Sequence, residues 1–298
     1  MKILVAGLTK NIQLLRLREE GKKRGHEIDG CYASDLTLYC DGRTFEPKIN
    51  GRDLSRYDLI YMIVGKRRWE WYTAALYLNQ KYGTKIVNQK AIEANYNFFL
   101  TPAIDYLKQT ENNLPYPASA VLFSTKNMDS VIGKFNFPLI VKTSTGRQGR
   151  GVYRAEDIPQ IKKAAREILA GDAPSFIIRE FIPNDGDIRI FTVGYKAIGA
   201  MKRIPKKGEF RSNISQGGRG EKFDLKKYPE IRELAENAAK ITRTEIAGVD
   251  IIVSKETGKP YILEVNPAPQ FAGLEGYTGV NAAEEIIKYF EKLYNTGK

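Results

Sequence analysis

Short apolar runs alternate with stretches of helical period along the first third of the chain. Lys2–Ala6 is continuously apolar after its lysine and predicts a buried strand. Residues 12–24 repeat apolar positions at helical spacing and meet Gly25, a common helix stop. Residues 57–64 predict a second buried strand, 69–82 a helix and 85–87 a short strand. This order predicts a small parallel-sheet α/β unit over residues 1–88, followed by a chain of different rhythm.

From residue 89 the pattern predicts a helix to about Leu107, closed by the turn Leu114-Pro115-Tyr116-Pro117. A compact alternation follows: strand 120–123, helix 128–135, strand 139–142, a Gly-rich loop 143–151, helix 159–170 and strand 176–181. Residues 187–193 and 197–204 then read as a hairpin about Gly194-Tyr195-Lys196, and 205–220 as a polar, basic, Gly-rich loop. A helix over 228–242 precedes a hairpin of 248–253 and 260–266, and a last helix covers 282–294. The expected divisions are 1–88, 89–180 and 181–298, with α/β character that turns to α+β in the C-terminal part.

The last hairpin breaks its own pattern. Asp250 lies in the apolar run 248–253, and Glu264 and Asn266 lie in the run 260–266. Period two places Glu264 and Asn266 on one strand face, and the turn Lys255-Glu256-Thr257-Gly258 brings Asp250 alongside. Two carboxylates and an amide oxygen are hard ligands suited to Mg²⁺ or Mn²⁺. A lone acid would more often pair with a basic residue or flank a turn. Asp plus Glu-x-Asn on adjacent apolar strands favours the metal.

Composition narrows the chemistry. The chain has 298 residues, one histidine and two cysteines, so zinc sites, Cys/His nucleophiles and Ser-His-Asp triads are nearly excluded. No apolar run is long enough to span a bilayer, and the chain starts as a strand without a signal-peptide pattern. A soluble, cytoplasmic protein is expected. A formal charge of +12 points to acidic partners: nucleotide phosphates, an acidic peptide or protein tail, or nucleic acid. Lys66-Arg67-Arg68 follows the carboxyl end of a central strand, where open α/β sheets bind ligands, although a solvated loop reads equally well.

Two further patterns bear on phosphate. The loop from Lys142 to Gly151 carries Gly146, Gly149 and Gly151 after a buried strand, so backbone amides can approach an anion while Lys142 adds a point charge. It lacks the Gly-Lys-Ser/Thr closure of a Walker A loop, and by itself it would read as a surface hairpin. Backbone groups at Glu180 and Phe181 can read an adenine edge, and Asp187 can accept ribose hydroxyls. Arg189, Arg203 and Arg211 offer planar forks for phosphate or carboxylate oxygens. Lys202 and Arg203 alternate faces, and Arg203 is the one expected to face the site.

Taken in order, Lys142 with its Gly-rich loop, Glu180-Phe181-Ile182, Asp187-Ile188-Arg189, Met201-Lys202-Arg203, Glu209-Phe210-Arg211-Ser212-Asn213, Gly217-Gly218, Ala247-Gly248-Val249-Asp250, Glu264-Val265-Asn266 and Thr278-Gly279-Val280-Asn281 resemble the ATP-grasp ligases. The likeness spans about residues 89–290. It is strongest to the branch containing ribosomal protein S6 glutamate ligase and the lysine-biosynthesis carrier-protein ligases.

That resemblance implies an ATP-grasp fold behind an N-terminal pre-ATP-grasp domain, and an enzyme joining a carboxylate to an amine. ATP would phosphorylate the acid, and the amine would displace phosphate from the acyl phosphate. Asp250, Glu264 and Asn266 would hold two Mg²⁺ or Mn²⁺ ions. Lys142, Gly146, Gly149, Glu180, Phe181, Asp187, Arg211, Ser212 and Asn213 would hold ATP. Arg189, Arg203, Arg211 and Asn213 would handle the acyl phosphate and the substrate carboxylate. The partners implied are ATP, an amino-acid or amine donor, glutamate among the candidates, and an acidic peptide, protein tail or small-molecule acid. Membrane partners are not expected, nucleic acid is disfavoured, and a homo-oligomer stays open.

Two departures stand out. The family's further phosphate-binding lysine has no counterpart around Asn95-Tyr96-Asn97-Phe98, so nucleotide binding would rest on Lys142 and the arginines. Where S6-type enzymes carry Ser-Ser-Pro-Gly, this chain has Pro267-Ala268-Pro269-Gln270-Phe271 on the acceptor side. Competing readings are an ATP-grasp phosphotransferase that stops at phosphorylation, and a basic nucleic-acid-binding protein without ligase activity.

Overall fold

A computed structural model describes residues 1–9, 11–64, 69–93, 102–144, 151–171, 173–206, 209 and 218–296. The N-terminal part is built on a four-stranded parallel sheet. Its strands are β1 (Lys2–Ala6), β2 (Glu27–Cys31), β6 (Leu59–Met62) and β7 (Lys85–Val87), in the spatial order β2-β1-β6-β7. Residues 3–6 of β1 are fully buried, because helices cover both faces of a central parallel strand. Helix α1 (Ile12–Lys23) starts at Asn11, whose side-chain oxygen accepts the Gln13 and Leu14 amides at 2.9 and 3.1 Å. Past its end, Gly25 takes a φ of +72°, a left-handed conformation suited to glycine.

Three strands here depart from the sequence expectation. β3 (Leu36–Cys40), β4 (Phe45–Ile49) and β5 (Arg52–Asp53) form a small antiparallel sheet between β2 and β6. Their alternation is weak because β3 has no fully buried residue and β5 is only two residues long. β2 is likewise not legible in the sequence, since Glu27-Ile28-Asp29-Gly30-Cys31 mixes polar and apolar positions at a sheet edge. The helix expected over 89–107 is a short 3₁₀ turn, Gln89–Ala91, and a helix α3 (Pro102–Glu111), with 94–101 outside the described residues. Pro102 stands at the first helical position of α3, where the backbone N–H would have no intrahelical acceptor.

Two antiparallel sheets complete the fold after α2 (Trp69–Tyr82) and β7. The first contains β8 (Ser119–Leu122), β9 (Leu139–Thr143), β10 (Val152–Ala155) and β11 (Phe176–Glu180), in the order β10-β9-β11-β8. Helix α5 (Ile158–Ala170) covers one face of it, capped by Asp157; the helix expected over 128–135 shrinks to α4 (Asp129–Ile132), which stops at Gly133. The second sheet contains β12 (Asp187–Val193), β13 (Lys196–Ile204), β14 (Arg219–Phe223), β15 (Ile246–Val253) and β16 (Pro260–Asn266), in the order β14-β13-β12-β15-β16. Helix α6 (Pro229–Ile241) packs on one face through Ile231, Leu234, Ala235 and Ala238 against Ile190, Val249 and Ile251. A short helix α7 (Ala272–Thr278), not anticipated from the sequence, and α8 (Ala282–Asn295) follow.

The other end of this sheet joins the N-terminal part. Ile3, Val5, Leu14 and Tyr61 share one core with Phe191, Val193, Ile246, Phe271, Ile286 and Phe290. Arg16 of α1 adds polar links, donating to Glu275 at 3.1 Å and Asn281 at 3.0 Å. Among the described residues no helix is long and apolar enough to cross a membrane.

Candidate active site

The face of the second sheet opposite α6 carries a charged cluster in an otherwise apolar setting. β12 lies between β13 and β15, and the register sets Asp187 opposite Arg203 and Arg189 opposite Asp250. Cross-strand neighbours on one face can touch, so the four side chains form a network. Arg189 grips Asp250 with two parallel bonds of 2.7 Å. Arg203 donates to Asp250 at 2.7 Å and to Asp187 at 2.8 Å through Nε, with a further bond from Nη2 to the same Asp187 oxygen. Asp187, Arg203 and Asp250 are all buried.

Burial by itself would raise the Asp250 pKa. The two guanidiniums outweigh it and hold the carboxyl at about 2. Burial likewise works against the charge on Arg189 and Arg203, and the carboxylates beside them keep both pKa values raised. Arg189, Arg203 and Asp250 are therefore charged, with Asp187 hydrogen-bonded to Arg203 beside them.

Glu264 stands opposite Asp250 across the β15–β16 ladder, and Asn266 stands opposite Gly248. The register skips Leu263, so β16 carries a bulge there. The bulge matters because Ile262 and Val265 both pack toward α6, three residues apart, while Glu264 and Asn266 are left beside Asp250. A regular strand would have put Glu264 on the face of Ile262. The Glu264 side chain is half exposed, and Arg189 Nη2 lies 3.7 Å from it. The Asn266 side-chain oxygen accepts the Ala268 amide at 3.0 Å.

Among the described residues no three His, Cys, Asp or Glu side chains converge as a metal site. The oxygens that the β15–β16 ladder brings to one face are those of Glu264, Asn266 and Asp250, whose Oδ1 accepts from Arg189 Nε and keeps a second lone pair. These oxygens fit a hard divalent ion that completes its shell with water and substrate phosphates.

The remaining expected residues are distributed as follows. Lys142 is half-buried on β9, opposite Ile177 of β11. Glu180 ends β11; its amide bonds the Ala118 carbonyl at 2.9 Å and its carboxylate accepts the Ala118 amide at 3.4 Å. The Arg154 guanidinium lies over the Phe181 ring, 4.7 Å from its centroid. Asp187 faces Arg203, so a ribose hydroxyl at Asp187 would share the carboxylate with that guanidinium. Lys202 points to the α6 side, where it lines a depression with Ile188, Tyr228 and Ile231, while Arg203 faces the charged cluster. Gly146, Gly149, Arg211, Ser212, Asn213 and the cluster Lys66-Arg67-Arg68 lie outside the described residues, as does the segment around Asn95–Phe98.

The segment Pro267-Ala268-Pro269-Gln270-Phe271 is tied to the N-terminal part. Asn88 donates to the Pro267 carbonyl at 2.8 Å, and the Phe271 amide donates to Gln13 of α1 at 2.9 Å. The Phe271 ring is buried edge-on against Phe191 at 6.2 Å. One residue escaped the sequence reading. Arg179, in Ile177-Ile178-Arg179-Glu180, looks like an ordinary strand residue, yet it is 4% exposed and reaches across to β16. The only sequence signal was a charge inside an apolar run.

Comparison with known proteins agrees with this architecture. The description of a RimK-like ATP-grasp domain matches residues 103–290. A probable alpha-L-glutamate ligase of Vibrio vulnificus strain YJ016 is 33% identical, over 98% of this chain and 96% of the relative. One from Trichodesmium erythraeum is 32% identical over 100% and 98%. Among solved structures, the ATP-grasp ligase PsnB complexed with minimal precursor, Mg and ADP superposes with a TM-score of 0.71 at 17% identity, covering 98% of both chains.

Proposed function

Because the chain belongs to the RimK-like ATP-grasp family, and is thus an ATP-dependent ligase, we propose that it joins an amino acid, with glutamate the first candidate, to the carboxylate of an acidic peptide or protein tail. The names of its relatives support glutamate. A complex of the same structural neighbour with the precursor peptide PsnA2 supports a peptide acceptor, as does the formal charge of +12.

The observation that carries this reading is the charge balance of the cluster. Arg189 and Arg203 are matched by Asp187 and Asp250, so Glu264 is the carboxylate of the group with charge left to offer a cation. Asp250, Glu264 and Asn266 would hold Mg²⁺, one ion or two, with Mn²⁺ an alternative. The ion supplies charge neutralisation at the transferring phosphoryl group. Lys142 and the loop with Gly146 and Gly149 would meet the phosphates, and Glu180, Phe181 and Asp187 the adenosine. Arg189, Arg203, Arg211, Ser212 and Asn213 would face the γ-phosphate and the acyl phosphate made from it. Reaction then depends on positioning and on charge neutralisation, with no protein nucleophile.

ADP release measured across amino acids and acidic peptides, with product masses, tests the proposal. The expected result is ADP formation that needs both an acid and an amine, with a mass gain of one amino acid less one water per bond. Glu264→Ala should lower turnover by at least roughly a hundredfold, in keeping with loss of a metal ligand at a phosphoryl-transfer site. Turnover that ignores the amine would replace ligation by phosphotransfer.

A further inference from the structure

Arg179 is a buried cation without a carboxylate partner among the described residues. Its three acceptors are a hydroxyl, a carbonyl and a phenol: Ser119 Oγ at 3.1 Å, the Leu263 carbonyl at 3.0 Å and Tyr106 Oη at 2.5 Å. The guanidinium also lies 5.5 Å from the centroid of the Tyr106 ring, which stacks on Tyr116 at 5.4 Å with the planes 5° apart. Burying a charge among neutral acceptors is unfavourable, so geometry must explain the residue. Lysine could not do the same work. Only the planar fork reaches three acceptors on three elements at once.

Those elements are informative. Ser119 belongs to β8 of the first sheet, Tyr106 to α3, and Leu263 to β16 of the second sheet. Leu263 is also the residue the ladder skips. A bulged residue gives up its regular pairing, and a partly buried carbonyl still needs a donor. Arg179 is that donor. Next to it on β16, the Ile262 amide is held by the Pro115 carbonyl at 2.9 Å.

We infer that Arg179 is a positioning residue: by capping the Leu263 carbonyl it holds the bulge that turns Glu264 onto the metal-binding face. It acts through backbone, one residue away from the ligand, and it draws its rigidity from Tyr106 and Ser119. Without it the bulge can relax by one residue, and a one-residue slip exchanges the faces of β16. Arg179 sits on β11, on the same sheet face as Lys142 by alternation, so the sheet that would meet the phosphates is bonded directly to the strand that would hold the ion. This inference rests on the reading of Glu264 as a metal ligand.

The test measures ADP binding to the full chain by calorimetry over a Mg²⁺ series, with no turnover required. Arg179→Gln and Arg179→Lys should raise the Mg²⁺ needed for half-maximal tightening of ADP by about tenfold, the scale seen when partners that orient a metal ligand are removed. ADP affinity without Mg²⁺ should stay within about twofold, because Arg179 is not proposed to bind the nucleotide. Tyr106→Phe, which removes one anchor of the fork, should shift the Mg²⁺ dependence in the same direction by a smaller factor. It also decides the matter if the Arg179 variants do not fold, since an unchanged Mg²⁺ dependence in Tyr106→Phe would then overturn the inference. A lower melting temperature with unchanged Mg²⁺ dependence would make Arg179 merely structural and likewise overturn it. Glu264→Gln is run in parallel. If it shifts the Mg²⁺ dependence while the Arg179 variants do not, the positioning role alone fails; if it shifts nothing, the metal reading fails and takes the inference with it.

Discussion

Glu245 is a carboxylate with almost no water around it, 1% exposed at the start of β15. Its Oε2 accepts the Gln89 amide at 2.8 Å, and its Oε1 has no partner among the described residues. Tyr61, Tyr195 and Tyr289 lie close enough for its charge to raise their pKa values further, after burial has raised them first. The paired charges of Arg243 and Glu93 are the other ionisable groups facing it. Burial pushes the Glu245 carboxyl up to about 7. In the unfolded chain it titrates near the ordinary value of about 4.3. Between the two values the folded state holds a proton the unfolded state lacks, so this residue's contribution is full below the lower value and lost as pH rises through the upper one. Glu245→Gln keeps the shape without the titration. Urea unfolding should show the variant gaining on wild type by roughly 3 kcal/mol between about pH 5 and about pH 8. An equal difference at the two pH values would show that Glu245 does not titrate in this range.

At the scale of elements, the turn before β12 shows how backbone shape supports the charged network. Gly186 has a φ of +100°, and a Cβ there would run into the Arg203 carbonyl. Gly186→Ala should therefore cost on the order of 2 kcal/mol in urea unfolding, through strain and the clash together. An effect within about 0.5 kcal/mol would mean that β13 can shift freely. The elements legible in the sequence were those with a clean rhythm: residues 3–6 of β1 and 246–252 of β15 are buried without interruption, and that run of apolar residues is a local property. β3, β4 and β5 were not legible, because their burial alternates weakly and their pairing depends on partners brought by folding. The same distinction holds in the site. The shared face of Glu264 and Asn266 follows from spacing within one strand. The pairing of Arg189 and Arg203 with Asp250 depends on register between strands distant in sequence, and the bulge at Leu263 shows only in that register.

Across the whole molecule, the N-terminal part and the second sheet are joined through the segment Pro267-Ala268-Pro269-Gln270-Phe271. Phe271 is 2% exposed, lies in the core shared by both, and donates its amide to Gln13 of α1. Removing its ring should cost about 3–5 kcal/mol, the usual range for a buried phenylalanine cut to alanine. Phe271→Ala should also loosen Pro267–Gln270, seen as faster amide hydrogen exchange there and in α1. Fast exchange confined to 267–270 would show that the segment is not coupled to the N-terminal part.

The shared core also bears on how the chain is made. Ile3, Val5 and Leu14 leave the ribosome early, while Ile286 and Phe290, which complete their packing, follow only after both ATP-grasp sheets have been synthesised. At about 5–20 residues per second, the parallel sheet would spend many seconds with one apolar face uncovered. Nascent β1 and α1 therefore expose apolar surface that stays uncovered until α8 is made.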